Sequence, residues 1–344
     1  MTSTVQGLPG INRYPRWSPE QAWQLAYDWV CLRRRNYPAN ADIWHLRFHW
    51  ATLGPTLWAL VQQGRYRLHP MQVLGEHALW GAADALVLKW LALMSAPWLD
   101  LHPACEHGLG GGVRASRTRL HHALREGHQR QVMRTDIRGY YQHIDKQQVW
   151  QQVVSQLPGQ PLHALWWQFL HYSVENGGEF HTPTQGIPRG CALSPLIGAA
   201  LLTPLDRAMT QQMAKEGGYY ARYMDDILVL APKRWPLRRA IATVNRYLAA
   251  GGFAQHPDKT MIGPLTRGFD WLGGWFTEQG WAGIAPRALQ RYRTKSLRLY
   301  EQALHQGLGD TGAKARVRRY RLRFNAFWPA TRRESPHDPC PHTR

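Results

Sequence analysis

The sequence predicts an α+β fold in which a split β-α-β sheet is packed on one face by helices. A strand-like segment over Gln131–Ile137 is followed by two helical segments, Asp145–Leu157 and His163–Val174. Two short strands then lie on either side of Met224–Asp226, and a helix over Leu237–Leu248 leads to a further strand. Strands and helices that alternate in this order favour one sheet with helices against it.

The segments before the first of these strands are predicted to be mainly helical. Residues 1–40 are rich in Trp, Arg and Pro and are predicted as an N-terminal extension with short helices. Apolar residues recur at helical spacing over residues 43–64 and 77–99. Gly108–Gly112 interrupt this pattern, and a basic helix is expected over Val113–Gly127.

The second half of the chain continues with residues 178–190, predicted as a β-ribbon or loop. A long helix is expected over Ser194–Met213, with Ser194 as its N-cap and a proline in its first turn. Residues 268–276 are predicted as a tight strand pair, and the chain from Pro286 to about Trp328 as helical. The last dozen residues contain three prolines and are predicted as a loose tail.

The formal net charge of the 344 residues is +19, whereas the content of 44% hydrophobic and 19% charged residues is ordinary for a globular protein. From Ala285 to Arg344 there are 14 Lys or Arg against four acids, so this end carries over half of the net charge. Such a charge indicates a partner rich in phosphate. Charge that serves only solubility and an anionic membrane surface are the alternatives.

Cysteine use and hydropathy suggest a cytoplasmic protein. The four cysteines are scattered, without a CxxC pair, which is typical of a reducing compartment. The N-terminal segment has no apolar run of the signal-peptide kind. The most apolar helical segment, Ala85–Leu99, contains Lys89 and Pro97 and is too short to span a bilayer.

Two adjacent aspartates, Asp225 and Asp226, stand between apolar flanks in YYARYMDDILVLA. Adjacent carboxylates repel, and their burial is costly without a counter-charge, so they lie either in a solvated turn or beside a cation. A third aspartate, Asp136, comes at the end of the predicted strand in RTDIRGYYQHID. If the two strands are neighbours, the three carboxylates meet, and Mg²⁺ suits a few carboxylates together with phosphate oxygens.

Five motifs occur in an order and spacing that resemble those of a reverse transcriptase of the bacterial branch related to group II intron and retron enzymes. The motifs are DIRGYYQHID, QGIPRGCALSPL, YMDD, HPDKT and GFDWLGGWF. The resemblance covers roughly residues 65–330 and implies a right-hand polymerase fold. It implies an N-terminal extension over 1–40, fingers over 41–130, a palm over 131–284 with finger elements inserted around 160–195, a basic helical thumb over 285–330 and a tail over 331–344.

The resemblance implies an RNA-directed DNA polymerase, a nucleotidyltransferase that joins a dNMP to a primer 3′-OH. Its partners would be an RNA template, dNTPs and a DNA product or RNA–DNA hybrid. Two Mg²⁺ ions, or Mn²⁺ in their place, would be held by Asp136, Asp225, the more peripheral Asp226 and the backbone carbonyl of Ile137. Lys259 would act in catalysis near the leaving pyrophosphate.

The resemblance also implies residues that contact the nucleic acid and the nucleotide. The nucleotide contacts would come from Arg138, Tyr140, Tyr141, Arg189, Gly190 and Lys259, with Tyr141 under the sugar, where its ring would clash with a ribose 2′-OH. The primer grip would be Trp271, Leu272, Gly273 and Gly274. In the thumb, Arg316, Arg319 and Arg323 share one helix face and would meet the hybrid backbone.

The chain departs from the family pattern in two places. Arg189 stands where the family usually has glutamine, and an arginine cannot accept a hydrogen bond. No Lys or Arg lies between Arg67 and Lys89, where the finger strands usually carry cations for the triphosphate, and Asp84 is followed by alanine where relatives have arginine. The triphosphate contact is therefore left open among Arg65, Arg67, Arg189, His69 and His77.

The biological role is expected to be that of a stand-alone enzyme that works with a dedicated non-coding RNA, as in retron or antiviral defence systems. Template-independent or protein-primed DNA synthesis is an alternative with the same chemistry. A non-catalytic RNA-binding scaffold is an alternative of a different class. The sequence does not predict an oligomeric state.

Overall fold

The computed structural model describes residues 14–74, 77–107, 111–159 and 161–328. The predicted tail over 331–344 and the first 13 residues of the predicted N-terminal extension lie outside these ranges. The helices are α1 (Pro19–Arg33), α2 (Asp42–Phe48), α3 (Trp50–Gln62), α4 (Ala82–Ser95), α5 (Gly112–Arg125), α6 (Tyr140–His143), α7 (Lys146–Gln152), α8 (Leu162–Leu170), α9 (Ser194–Leu201), α10 (Thr203–Lys215), α11 (Arg234–Ala250), α12 (Pro286–His305) and α13 (Gly309–Ala326). The strands are β1 (Met71–Leu74), β2 (His77–Leu79), β3 (Gln131–Asp136), β4 (Val174–Asn176), β5 (Glu179–His181), β6 (Tyr219–Tyr223), β7 (Asp226–Ala231), β8 (Met261–Pro264), β9 (Phe269–Trp271), β10 (Gly274–Thr277) and β11 (Gly280–Ile284).

The central sheet has the strand order β6-β7-β3-β8, and each neighbouring pair is antiparallel. β3 pairs with β7 along its whole length, from Gln131 opposite Ala231 to Asp136 opposite Asp226. The helices α7 to α10 connect β3 to the β6–β7 hairpin, and α11 connects β7 to β8. The predicted α+β arrangement of strand, helices, hairpin, helix and strand is confirmed.

Both faces of the central sheet are covered, although the sequence predicted helices on one face. In β7, Ile227 and Val229 point into the larger core with the helices, whereas Leu228 and Leu230 point into a second cluster. That second cluster is built from α5 and the strands β9 and β10. A continuous apolar run such as ILVLA is typical of a strand that is buried on both sides.

The described chain also contains two smaller sheets. One has the order β2-β1-β4-β5, in which Met71 of β1 pairs in parallel with Val174 of β4. Residues 174–181 thus join the strands at 71–79 in one sheet. The other sheet has the order β11-β10-β9, so the predicted pair over 268–276 has a third strand.

One helix prediction was wrong at its start. The helix expected over 77–99 begins only at Ala82, because His77–Leu79 form β2 and pair with β1. The rest of the predicted segment contains the 14-residue helix α4, which packs against α1. The apolar spacing continues through a short strand, which periodicity alone cannot distinguish from a helix segment.

The helix expected over Ser194–Met213 is two helices, α9 and α10. Pro204 lies in the first turn of α10, where its ring excludes the continuing hydrogen bond and ends α9. Ser194 is also not the N-cap: the cap position is Leu193, and the Ser194 hydroxyl donates to the Pro188 carbonyl at 2.5 Å. The side chain therefore stabilises the preceding loop instead of the helix end.

The basic segment from Pro286 to Trp328 is likewise a pair of helices, α12 and α13. Gly307 has φ +75°, and its N–H donates to Leu304 while Leu308 donates to Ala303. These two bonds form a Schellman motif, which ends α12 and turns the chain back. The two helices pack through stacked rings, with Tyr292 against Tyr320 and Phe324.

A fully buried ion pair lies between the central sheet and the helices. Arg222 of β6 and Asp206 of α10 are both 0% exposed, and Arg222 Nη2 lies 2.5 Å from Asp206 Oδ2. Arg222 also donates to the carbonyls of Gly198 and Ala199 near the end of α9. Tyr220 donates a further hydrogen bond to Asp206 at 2.7 Å. Both buried charges thus have hydrogen-bond partners, and the pair joins β6 to the region where α9 ends and α10 begins.

None of the helices in the described part of the chain is long and apolar enough to cross a membrane.

Replacement of Asp206 by alanine is expected to lower the free energy of unfolding by about 3–5 kcal/mol or to prevent folding, because Arg222 would be left as a buried charge without its carboxylate. Urea denaturation followed by circular dichroism measures this. The control is Arg207→Ala, which breaks the exposed pair of Arg207 with Asp100 and should cost under about 1 kcal/mol. Equal effects of the two substitutions would contradict the expectation.

Candidate active site

The tip of the β6–β7 hairpin is a two-residue turn formed by Met224 and Asp225. Tyr223 pairs with Asp226 across the base of the turn. Met224 has φ +57°, a conformation that two-residue hairpins require and that glycine normally supplies. The buried Arg222 donates to the Met224 carbonyl at 2.8 Å and so holds this turn in place. A strained residue that its surroundings hold is typical of a functional site.

The three predicted catalytic aspartates lie together at one end of β3 and β7, the two middle strands of the central sheet. Asp136 at the end of β3 is the register partner of Asp226 at the start of β7. The backbone N–H of Ile137 donates to the carbonyl of Asp225 at 3.1 Å, which joins the end of β3 to the turn. Two separate segments of the sequence therefore converge here, as the sequence predicted.

Burial and crowding disfavour the charged forms of Asp225 and Asp226. The pKa of Asp226 is raised to about 6, mainly by burial; Arg134 lowers it, and the nearby Asp225 and Asp136 contribute to the rise. Burial also raises the pKa of Asp225, with Asp136 contributing in the same direction. Positive charge is therefore favoured at this end of β3 and β7.

Two basic side chains partly balance this charge. Lys259 Nζ donates to Asp136 Oδ2 at 2.7 Å, with the lysine one third exposed. Arg134 Nη2 lies 3.4 Å from Asp226 Oδ1 and 3.3 Å from Asp270 Oδ1. Lys259 is the last residue of a short 3₁₀ turn over Pro257–Lys259, and Thr260 beside it shares a hydrogen bond with Thr135. The predicted lysine therefore reaches the predicted carboxylate.

Tyr141 lines a cleft of about 1240 Å³. Gly190 and Met224 line the same cleft. The Tyr141 hydroxyl is buried and has no hydrogen-bond partner among the described residues. Burial raises its pKa, and the negative charge of Asp225 adds to this effect. Tyr141 thus lies beside the aspartates, with a polar group free to meet a ligand.

Tyr140 does not belong to this cleft, contrary to the prediction that it contacts a nucleotide. Its side chain is 1% exposed, and its hydroxyl donates to the Gly198 carbonyl at 2.9 Å. Its ring packs edge-on against Phe253. A short helix turns successive side chains in different directions, so Tyr140 enters the core when Tyr141 enters the cleft.

The predicted nucleotide contacts Gly190, Arg189 and Arg138 are exposed, and the first two line a cavity. Gly190 has φ +78° and open space where a Cβ would point, so its backbone is accessible to a ligand. Arg189 is exposed and lines a smaller cavity of about 180 Å³ together with Gly190. Arg138 is exposed, and its backbone N–H donates to the Ala254 carbonyl at 2.8 Å.

Of the five residues left open for the triphosphate, only Arg189 is described at either cavity. Arg67 donates to backbone carbonyls of its own loop, and Arg65 lies near Gln63. The His69 ring and its backbone N–H contact the buried Asp84. The side chain of His77 lies outside the described residues.

The predicted primer-grip residues form a turn next to the aspartates. Leu272 and Gly273 line a cavity of about 430 Å³ that Asp136 and Asp226 also line. Leu272 has φ +50° and, with Met224, is one of the two non-glycine residues at positive φ in the described chain. The Gly273 carbonyl accepts a hydrogen bond from Ala285 N at 2.9 Å.

Trp271 and Gly274 support this turn from the core. Trp271 is 0% exposed, and its indole N–H donates to the Ser116 hydroxyl at 2.9 Å. Gly274 is buried, and a Cβ there would meet Phe276. The structure therefore does not place the Trp271 side chain where a primer could contact it, because an apolar ring of this size anchors the hairpin.

Arg117 of α5 joins the turn to the end of the helical pair. Its guanidinium donates to the Leu272 carbonyl and lies over the rings of Phe327 and Trp328, 4.6 and 4.1 Å from their centroids. Two of its nitrogens are buried without a hydrogen-bond partner among the described residues. Stacking on two aromatic rings compensates for part of the lost hydration.

Residues 87–276 match the family described as reverse transcriptase (RNA-dependent DNA polymerase). This span is more than half of the 344 residues and contains the three aspartates, Lys259 and the turn over 271–274. The chain belongs to the reverse transcriptase family. The family is described as RNA-dependent DNA polymerases, and the α+β architecture of this chain is that of a right-hand polymerase.

The chain matches no curated protein. Among solved structures it is similar to telomerase from Candida albicans in complex with the TWJ fragment of telomeric RNA, with a TM-score of 0.42 and 11% identity over 54% of this chain and 38% of that one. It is also similar to apo telomerase from Candida tropicalis, with a TM-score of 0.42 and 10% identity over 55% and 40%. The chain thus spans about two fifths of the length of these telomerase chains.

Reverse transcriptases generally use divalent metal ions. Among the described residues, no three His, Cys, Asp or Glu side chains form a ready-made metal cluster. The carboxylates of Asp136 and Asp226 are instead paired with Lys259 and Arg134. The donors nevertheless fit Mg²⁺, because they are oxygens only and because a divalent cation would neutralise carboxylates that lie close together in a partly buried place.

The segment predicted as a basic helical thumb has a basic face on α12 whose residues were not among the arginines named from the sequence. Arg287, Arg291, Lys295 and Arg298 line a groove of about 540 Å³ along α12. Arg287 and Arg291 also line the cavity that Asp136 and Asp226 share. The spacing of these four residues by three or four positions is visible in the sequence and could have revealed the face.

The thumb arginines that were predicted lie on the second helix, α13. Arg319 and Arg323 are exposed, whereas Arg316 is partly buried and donates to Gln306 Oε1 at 2.8 Å. From α13 itself, the side chains that line the cavity beside the aspartates are Tyr320 and Phe324. A contact of the three arginines with nucleic acid stays a prediction.

In metal-free protein, the contribution of Asp226 to stability is expected to rise as the pH falls from 7 to 5. Its pKa of about 6 in the folded protein exceeds the usual value near 4, so the folded state binds the proton more tightly in this interval. The free energy of unfolding of the wild type, minus that of Asp226→Asn, should therefore be larger at pH 5 than at pH 7.

Urea denaturation with a chelator measures this difference at both pH values. The exposed Asp258, close in sequence to Lys259, provides the control substitution Asp258→Asn. If the free energy of unfolding of the wild type minus that of Asp226→Asn is the same at pH 5 and pH 7, the expected rise in the pKa of Asp226 is contradicted.

Proposed function

We propose that this reverse transcriptase copies an RNA template into DNA by transferring a dNMP from a dNTP to a primer 3′-OH, with two divalent metal ions. The observation that carries the proposal is the convergence of Asp136 with Asp225 and Asp226 at one end of β3 and β7, between two cavities. One cavity adjoins Tyr141 and Gly190, and the other adjoins the thumb. A nucleotide on one side and a primer end on the other would meet at the carboxylates.

The carboxylates of Asp136, Asp225 and Asp226 and the carbonyl of Ile137 would hold Mg²⁺, or Mn²⁺ in its place. When bound, the two ions stabilise charge on the attacking and leaving oxygens of the in-line displacement. Lys259 would release Asp136 and turn toward the pyrophosphate. There its ammonium would neutralise the charge that develops on the leaving group or donate a proton to it.

Residues around the cleft would position the nucleotide. The Tyr141 ring would lie beneath the sugar and leave no room for a 2′-OH. The open, positive-φ backbone of Gly190 would allow the base pair to approach closely. Arg189 and Arg138 are exposed cations that could contact phosphate oxygens. The turn over Leu272 and Gly273 would hold the primer end.

The basic face of α12 would bind the sugar-phosphate backbone of the RNA–DNA hybrid. Its four cations extend from the aspartate cavity outward along the helix, which is the direction in which a newly made duplex would leave. Arg319 and Arg323 on α13 would add exposed charge to the same thumb. Binding by such contacts releases counterions and weakens with salt.

The finer assignment, a bacterial group II intron- or retron-like enzyme that uses a dedicated non-coding RNA in antiviral defence, is supported by the sequence motifs. Template-independent and protein-primed synthesis share the same carboxylate chemistry, and a scaffold role would need only the RNA-binding surfaces. A primer-extension assay with and without RNA template and primer separates these possibilities. Sequencing the nucleic acid that copurifies with the protein would identify the template.

Replacement of Asp225 by asparagine is expected to reduce DNA synthesis to background and to leave RNA binding within about twofold, because the substitution removes a metal-binding charge and not a phosphate contact. Primer extension with Mg²⁺, dNTPs and an RNA template measures synthesis, and fluorescence anisotropy measures binding. Asp258→Asn removes an exposed carboxylate nearby and should retain full activity. Substantial synthesis by the Asp225 variant would refute the proposed carboxylate role.

Replacement of Tyr141 by alanine is expected to raise the relative efficiency of rNTP use by roughly 10- to 100-fold, because the space beneath the sugar would open. The measurement is the ratio of kcat/KM for a dNTP and the matching rNTP. Tyr141→Phe retains the ring and should preserve the ratio. An unchanged ratio in the alanine variant would assign sugar discrimination to another residue.

A further inference from the structure

The finger strands contribute no cation to the cavities beside Gly190. Their described residues at the small cavity are Met71, Ala78 and Leu79, which are all apolar. A nucleotide or a template that binds here carries phosphate groups, whose charge has to be balanced. A positively charged side chain for this purpose must come from another element.

The end of the N-terminal helix α1 lies at this position. Arg33, in the last turn of α1, lines both the large cleft and the small cavity, which meet at Gly190. Arg34 is already engaged, because it donates to the Trp80 carbonyl at 2.7 Å and pairs with Asp42 at 3.2 Å. Arg34 therefore anchors the end of α1 to the fingers, and Arg33 is the exposed neighbour that this anchor positions.

Arg33 shares an aromatic support with a second cation. The Arg33 guanidinium and the Lys89 ammonium lie 5.7 and 5.2 Å from the ring centroid of Trp29. All three residues line the large cleft. Within the described residues, neither cation is paired with a carboxylate. Two unneutralised cations beside one ring make this wall of the cleft attractive to an anion.

We propose that Arg33, assisted by Lys89, is a phosphate-binding side chain of the polymerase site and replaces the cations that the finger strands lack. The inference rests on the proposed function, since it assigns a contact for the same reaction. A guanidinium can bind a phosphate with two parallel hydrogen bonds and stays charged at every relevant pH. The stacking on Trp29 orients it before the phosphate arrives.

The phosphate belongs either to the incoming dNTP or to the template backbone next to the templating base. Both sources offer the same chemistry to Arg33. They differ in the constant that a substitution would change, because triphosphate binding affects the KM for dNTP and template binding affects the dissociation constant of the RNA.

The experiment compares Arg33→Ala with Arg35→Ala. Arg35 is an exposed arginine two residues further along that lines neither cavity. For Arg33→Ala we expect a rise of roughly 10-fold or more in the KM for dNTP, or in the dissociation constant of an RNA template, since a charged hydrogen bond contributes about 1.5–3 kcal/mol. Arg33→Lys should recover part of the effect, and Arg35→Ala should change each constant less than twofold.

The outcomes separate the inference from the function on which it rests. A change in KM alone assigns the triphosphate, and a change in template affinity alone, with a shallower salt dependence, assigns the template backbone. If the wild type is active and Arg33→Ala leaves both constants unchanged, only the inference is refuted. If the wild type makes no DNA from any template, the proposed function is refuted, and the inference with it.

Discussion

The register between β3 and β7 is the constraint on which the arrangement of the three aspartates depends. Side chains alternate between the two faces of a strand, so a shift by one residue would move Asp136 away from Asp226 and turn the apolar run of β7 inside out. Burial on both faces makes such a shift very costly. Beyond the strands, the buried Arg222 fixes the Met224 carbonyl, so the sheet determines both the pairing and the shape of the turn.

Three carboxylates lie close together at this end of β3 and β7, and their charge has to be balanced when no metal ion is bound. Lys259 and Arg134 serve this purpose, each bound to one of the aspartates. They are not equivalent, since Arg134 also bridges to Asp270 and is held in the palm, whereas Lys259 is more exposed and free to move. The aspartates therefore have one counter-charge that is shared with a further carboxylate and one that is held by Asp136 alone among the described residues.

Local sequence patterns predicted the fold class and the convergence of the aspartates, because alternation of apolar residues and the YMDD turn are short-range signals. They did not predict the helix breaks at Pro204 and Gly307, since the apolar spacing continues across both. The family resemblance assigned Tyr140 and Trp271 to ligand contacts, although both side chains enter the core. The position of Arg33 at the two cavities and the buried pairing of Arg222 could not be found from local patterns, because both depend on residues that are distant in the sequence.

The way in which the thumb is attached has a mechanical consequence. The start of α12 is held by the bond between Gly273 and Ala285, and the end of α13 is held by Arg117 through Phe327 and Trp328. Both attachments adjoin the turn over Leu272 and Gly273, whereas Gly307 lies at the opposite end of the helical pair. Displacement of the two helices relative to that turn would therefore be smallest at the attached end and largest near Gly307.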